Sequence, residues 1–208
     1  ADGKRNVLLM HAGDFGQGTS YFSEMNGDIE IDVMNSLGFD VVCLGNHEFD
    51  NGTKELARRL KNLKAKVVCA NYDFEDSPLE DVVHPYVIIK KAGMKIGVIG
   101  LLTDIRRVVD KKIAAEFSYI EPADVVNRYA EYLKNEKGCD LVMCLSHLGY
   151  EEDKEVAALI RNVDVIVGGH THTLLHKKQE VKDLDGKPVV IVQNWKWGLN
   201  VGVLDIKY

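Results

Sequence analysis

Short apolar, β-branched runs alternate along the chain with longer segments whose apolar residues recur every three or four positions. Residues 6–12 are the first apolar run and end in a glycine-rich loop. In 27–37, Ile29, Val33 and Leu37 stand four apart and line one helical face, with Gly38 as the stop. A second strand is predicted over 40–44, a helix over 53–64 with Leu56, Leu60 and Leu63 on one stripe, and a third strand over 65–70. Residues 85–91 and 95–102 read as two strands joined by Ala92-Gly93-Met94, a hairpin. Pro122 sits where a helix begins, and that pattern runs to Lys137. Strand 140–146, helix 152–160 and strand 164–167 form one more unit. The last third is β only: 178–182, the turn Asp185-Gly186, 188–193 and 200–206.

Strand-helix alternation predicts an α/β fold with parallel pairing, to which the tail adds antiparallel strands. A near-continuous apolar strand such as 96–102 implies a sheet covered on both faces. No internal repeat, low-complexity tract or linker interrupts the 208 residues, so a single domain over 1–208 is expected. That length buries a full core without disulfides or a structural metal. With 46% hydrophobic and 28% charged residues the composition is that of a folded globular chain, not a disordered one. No apolar run approaches the ~20 residues of a membrane span. A net charge of −6 lacks the basic footprint of a duplex nucleic-acid binder. Cys43, Cys69 and Cys144 sit inside apolar runs and Cys139 just before one, so free buried thiols are expected, and no CxxC pair suggests zinc or redox work. The first residues, without an initiator Met or an apolar signal core, read as a processed or truncated start.

The chemistry collects after the strands. The first run leads into Gly13-Asp14-Phe15-Gly16-Gln17-Gly18, the second into Gly45-Asn46-His47-Glu48-Phe49-Asp50, the 140s run into Ser146-His147 and the 160s run into Gly169-His170-Thr171-His172. In open α/β sheets ligands bind beyond the carboxyl ends of the strands. Asp, Asn and His are the ligand types of a borderline divalent cation such as Zn, Mn or Fe. Each piece alone has a plainer reading. Gly-Asp is usually a turn or helix cap, Asn46 a turn residue, and a lone His47 or His147 a surface or hydrogen-bonded histidine. Four coincidences, all at strand ends, favour one shared metal site.

These motifs resemble those of calcineurin-type metallophosphoesterases, and the Gln17-Gly18-Thr19 and Phe49-Asp50 extensions are similar to the 5′-nucleotidase catalytic domain. The resemblance runs from residue 6 to the end, with 201–205 resembling the closing strand. It implies a four-layer αββα sandwich with mixed sheets, here without its first strand. It implies two divalent metal ions, with Asp14 bridging them, Asn46, His147 and His170 completing one shell and His172 going to the other. A water activated by the two metals would attack a phosphomonoester. His47 would stabilise charge on the phosphoryl group or the leaving oxygen, and Asp50 would hold and polarise that imidazole. Glu48 is expected to point away as a surface residue or cap. The family's Asp-x-His upstream of the Gly-Asp motif is not among these residues, which leaves the His172 metal with only Asp14 and His172. His11 is a conceivable substitute, but inside a strand it reads better as packing.

The separate C-terminal nucleotide-binding domain of long 5′-nucleotidases is likewise outside the chain. Trp195 and Trp197 offer a stacking platform, though packing or a domain contact is the better reading. Arg106-Arg107 reads as a solvated pair or a phosphate contact, and His84 and His176 as ordinary surface histidines. The expected function is hydrolysis of a small phosphoester, by resemblance a nucleotide, in a periplasmic or extracellular setting. The alternatives are a 2′,3′-cyclic-nucleotide phosphodiesterase, a nuclease disfavoured by the acidic charge, or a non-catalytic metal-binding or docking module.

Overall fold

The computed structural model describes residues 6–207, so the start at 1–5 lies outside the described residues. Four short parallel strands, β1 (Met10–His11), β2 (Val41–Cys43), β3 (Lys66–Val68) and β5 (Val83–His84), form one sheet in that order. A small ribbon pairs β4 (Tyr72–Asp73) with β8 (Ser118–Tyr119). The larger sheet contains β6 (Tyr86–Lys91), β7 (Met94–Leu102), β9 (Leu141–His147), β10 (Val165–Gly168), β11 (Gln179–Lys182) and β12 (Pro188–Gln193). Its order is β11-β12-β10-β9-β7-β6, parallel through the middle and antiparallel at both edges.

The two sheets stack on one another. Val41, Cys43 and Val68 of the smaller pack with Val98, Met143, Leu145 and Val165 of the larger. At Gly100 the backbones nearly touch: a Cβ there would lie 2.2 Å from the Val68 carbonyl carbon, so a larger residue fits only if the sheets shift apart. On the outer face of the smaller sheet lie α2 (Asp28–Leu37) and α3 (Thr53–Leu60), which bury Met34, Leu56 and Leu60 against Val42, Leu44 and Val67. The larger sheet is covered by α5 (Pro122–Glu131) and α6 (Tyr150–Leu159) through Val125, Val126, Val156 and Ala157. The result is the expected helix-sheet-sheet-helix sandwich. Covering on both faces explains why every residue of β9 is buried and why its sequence is almost uninterruptedly apolar. Each fully buried Leu or Val in these layers contributes about 1.5–3 kcal/mol of transfer free energy. Two short helices, α1 (Ser20–Met25) and α4 (Lys111–Ala114), complete the set, and α5 runs on into a π-helical turn at Tyr132–Glu136.

The hairpin turn is tighter than expected, because Met94 already belongs to β7 and only Ala92 and Gly93 turn, both at positive φ (53° and 80°). The segment 200–206 is not a strand. Its alternating valines have the propensity, but a strand needs a partner ladder, and Val201 and Val203 stand 82% and 83% exposed. The four cysteines are free and buried, as expected of small apolar residues in strands. Among the described residues no helix is long and apolar enough to cross a membrane.

Candidate metal centre

The carboxyl ends of β1, β2, β9 and β10 meet at the seam between the two sheets. Asp14 follows β1 and holds a left-handed φ of 57°, a conformation that costs a non-glycine residue on the order of 1 kcal/mol or more. Gly45, after β2, admits that carboxylate, since a Cβ on Gly45 would stand 2.2 Å from Asp14 Oδ1. His147 is the last residue of β9, and His170 lies two residues beyond β10, again left-handed (φ 69°). Asp14, His147 and His170 bring ligand atoms within 4.8 Å of one another.

The hydrogen bonds around this cluster leave acceptors facing inward. His147 Nδ1 lies 2.6 Å from the Ala12 carbonyl oxygen and must donate its proton there. Its Nε2 lies 3.0 Å from Asp14 Oδ2, an ion pair when the ring is protonated and a free lone pair when it is neutral. Buried Asn46 Oδ1 has no partner. The other Asp14 oxygen accepts the His47 amide at 2.9 Å. The donor set of carboxylate, amide oxygen and two imidazoles suits a borderline divalent metal, which would take the place of a proton between His147 and Asp14. These residues therefore fit the metal that their types imply.

The electrostatics of the metal-free site show which proton a metal would have to displace, the one that Asp14 favours on His147. Burial opposes ionisation of Asp14, but His147 and the His47 amide override it and hold the carboxyl below its usual range. Burial depresses His147, yet the adjacent Asp14 carboxylate outweighs that and raises it. Burial, then the neighbouring His147, lowers His170, keeping its imidazole neutral as a ligand must be.

The other predicted residues lie outside this cluster. His47 Nδ1 lies 2.9 Å from Asp50 Oδ2, and both side chains are partly exposed at the mouth. His172 is exposed, left-handed (φ 53°) and outside the mutual cluster. His11 packs edge-on against Phe15 and Phe39, and burial, then His147, pushes it down to about 4. Trp195 and Trp197 lean on each other at 6.3 Å on an exposed loop, with Lys196 Nζ over the Trp197 ring. Arg106 and Arg107 pair with Asp104, and His84 and His176 lie on the surface.

The surface reading of Glu48 is overturned, while its reading as a cap holds. Its side chain is wholly buried and turned inward, because the loops after β1 and β2 converge and present four backbone N–H groups that only a carboxylate can satisfy together. The spacing carried a signal: Gly45-x-x-Glu48 is the half of a capping box in which the glutamate at the third helical position reaches back to the cap amide. Also missed were Asn71, whose buried amide both accepts from Leu102 N and donates to its carbonyl, and the Ser146–Asp153 pair behind His147. Neither carries a motif, since each is defined by a partner distant in sequence.

Residues 1–174 match the sequence pattern of the calcineurin-like phosphoesterases. A probable 5′-nucleotidase of Treponema pallidum is 34% identical over 98% of this chain and 37% of its own length. An NAD 5′-nucleotidase of Haemophilus influenzae is 32% identical over 98% of this chain and 36% of its own. The crystal structure of a 5′-nucleotidase precursor from Thermus thermophilus superposes with a TM-score of 0.88 at 37% identity, covering 93% of this chain and 40% of that one. The chain thus spans well under half the length of these relatives. With Asp14, Asn46, His147 and His170 all inside the matched span, the chain belongs to the calcineurin-like phosphoesterase family.

Proposed function

We propose that this chain carries the hydrolytic centre of a metal-dependent phosphomonoesterase acting on nucleotides, of the 5′-nucleotidase kind. The observation that carries the reading is the convergence of Asp14, His147 and His170, to which the buried, unpartnered Asn46 Oδ1 adds a candidate fourth donor. The names of the relatives from Treponema pallidum and Haemophilus influenzae support the nucleotide substrate, and the venom 5′-nucleotidase of Naja atra, 33% identical, supports export from the cell. Asp14, Asn46, His147 and His170 would hold one divalent cation of the Zn, Mn or Fe class. Of the residues present, Asp14 and His172 would face the second. A cation so held supplies Lewis-acid stabilisation of phosphoryl charge and a water more acidic than bulk.

The chain's own groups do the rest. Asp50 accepts from His47 Nδ1, which fixes the ring and leaves Nε2 directed outward. His47 Nε2 is then the atom placed to meet a phosphoryl or leaving oxygen as charge develops there. The His47 amide meanwhile holds Asp14 Oδ1, so the same residue serves the metal ligand through its backbone and the substrate through its ring.

Hydrolysis of AMP, 2′,3′-cyclic AMP and p-nitrophenyl phosphate with added Mn2+ or Zn2+ tests the reading. Turnover of AMP and p-nitrophenyl phosphate, abolished by a chelator, is expected. Preference for the cyclic substrate would move the assignment to a phosphodiesterase. Metal binding without turnover of any of them would favour the non-catalytic reading, for which the place of His172 outside the cluster is the supporting observation.

A further inference from the structure

We propose that Glu48 is a positioning residue that fastens the two ligand-bearing loops together and so sets the geometry of the metal centre. The proposal rests on the metal reading above and adds to it a residue that touches neither metal nor substrate.

The Glu48 carboxylate is saturated by backbone donors. Oε2 accepts from Gly45 N at 2.6 Å and Asp14 N at 2.8 Å, and Oε1 from Phe15 N at 2.9 Å and Gly16 N at 3.2 Å. Three of these amides belong to the loop that carries Asp14, and the fourth to the loop that carries Asn46 and His47. One side chain therefore ties both loops across the end of the smaller sheet. Successive N–H groups around a left-handed residue form an anion-binding nest, and Asp14 (φ 57°) supplies that turn. Such glycine-rich nests commonly cradle phosphate. Here the protein's own carboxylate fills it, so this loop holds Asp14 and is not available for the substrate's phosphate.

The charge is managed nearby. Arg59, 1% exposed, donates from Nη2 to the Glu48 carbonyl at 2.7 Å and lies over the Phe22 ring. A Cβ on Gly16 or Gly27 would meet its guanidinium at 3.2 and 2.6 Å, so both glycines leave the space it occupies. Two carboxylates, Asp14 and Glu48, are thus held at one loop, Glu48 by its backbone amides. Asp14 is left with one oxygen on the His47 amide and the other toward His147. Without the Glu48 clamp, nothing else on the described residues joins the amides of Asp14 and Gly45.

Groups behind a metal ligand that fix its orientation typically change metal affinity 10- to 100-fold when removed. The test is Mn2+ titration by calorimetry of wild type, Glu48→Gln and Glu48→Asp, with near-UV circular dichroism reporting the folded state. Glutamine keeps the shape but turns an NH2 toward two amide donors. Aspartate keeps the charge on a shorter stem. The expected order of affinity is wild type, then Glu48→Asp by a few-fold, then Glu48→Gln by about 10- to 100-fold. A folded Glu48→Gln chain with wild-type affinity, or Glu48→Asp no better than Glu48→Gln, overturns the proposal. If Glu48→Gln does not fold, Glu48→Asp decides: a few-fold loss supports the proposal and unchanged affinity overturns it. Amide exchange in the metal-free wild type adds a readout independent of metal. Protection of the amides of residues 14, 15, 16 and 45 above those of 17–19 supports the clamp, and equal exchange refutes it. A wild type that binds no Mn2+ but shows that protection sinks the metal reading and leaves the clamp standing.

Discussion

Asp153 offers a sharp test of how the interior behind the metal centre is built. It lies on α6, wholly buried, with Oδ1 accepting from Ser146 Oγ at 2.5 Å and Oδ2 without a partner. Gln193 Oε1 is likewise unpartnered, and both oxygens flank Gly168, where a Cβ would meet them at 2.4 and 3.6 Å. Burial, against the pull of the Ser146 hydroxyl, lifts the carboxyl from 3.8 to about 7. The folded chain therefore keeps this proton over a range in which the unfolded chain has lost it. The contribution is fully present below pH ~3.8 and is lost as pH rises through ~7. At 1.36 kcal/mol per unit, a shift of about 3 units corresponds to about 4 kcal/mol in all, of which about 3 kcal/mol falls between pH 5 and 8. Asp153→Asn stays neutral throughout and presents an NH2 where the unpartnered oxygen stood. Urea unfolding of metal-free wild type and Asp153→Asn at pH 5, 6, 7 and 8 measures the difference directly. Wild type should lose about 3 kcal/mol relative to the variant over that range, because the histidine contributions common to both cancel. Parallel stability curves would refute the reasoning.

Gly45→Ala should weaken Mn2+ binding more than tenfold, since the new methyl overlaps Asp14 Oδ1; calorimetry against a folded control checks this. His47→Ala should leave Mn2+ affinity within about twofold but cut turnover of AMP by about 10²–10⁴, a split read from parallel binding and rate measurements. Gly100→Ala should destabilise the fold by about 1–3 kcal/mol through contact with the Val68 backbone, seen as a melting temperature lower by several degrees without loss of metal stoichiometry.

The parts legible in the sequence are those defined by local pattern. β12 was expected over its full length, and the centres of β7, β9 and α5 were plain, because covered strands and an amphipathic helix with Pro at its start leave strong periodic marks. The ligand types at four strand ends were also visible. Their meeting at the seam of two sheets was not, because residue types at strand ends carry no information on how the sheets stack. Two-residue strands such as β4 and β8 have no period to read. Glu48 looked like a surface residue because polarity in a loop is normally solvated; its burial depends on amides 32 to 34 residues away. The 200–206 segment shows the converse, a local pattern without the partner that would make it a strand.

The central claim is that Asp14, Asn46, His147 and His170 together hold a divalent cation. Anomalous diffraction from crystals of this chain grown with Mn2+ addresses it directly. The account predicts a peak bounded by the Asp14 carboxylate, Asn46 Oδ1, His147 Nε2 and the His170 ring. No peak at that place, or a peak elsewhere with these four side chains uncoordinated, would contradict it.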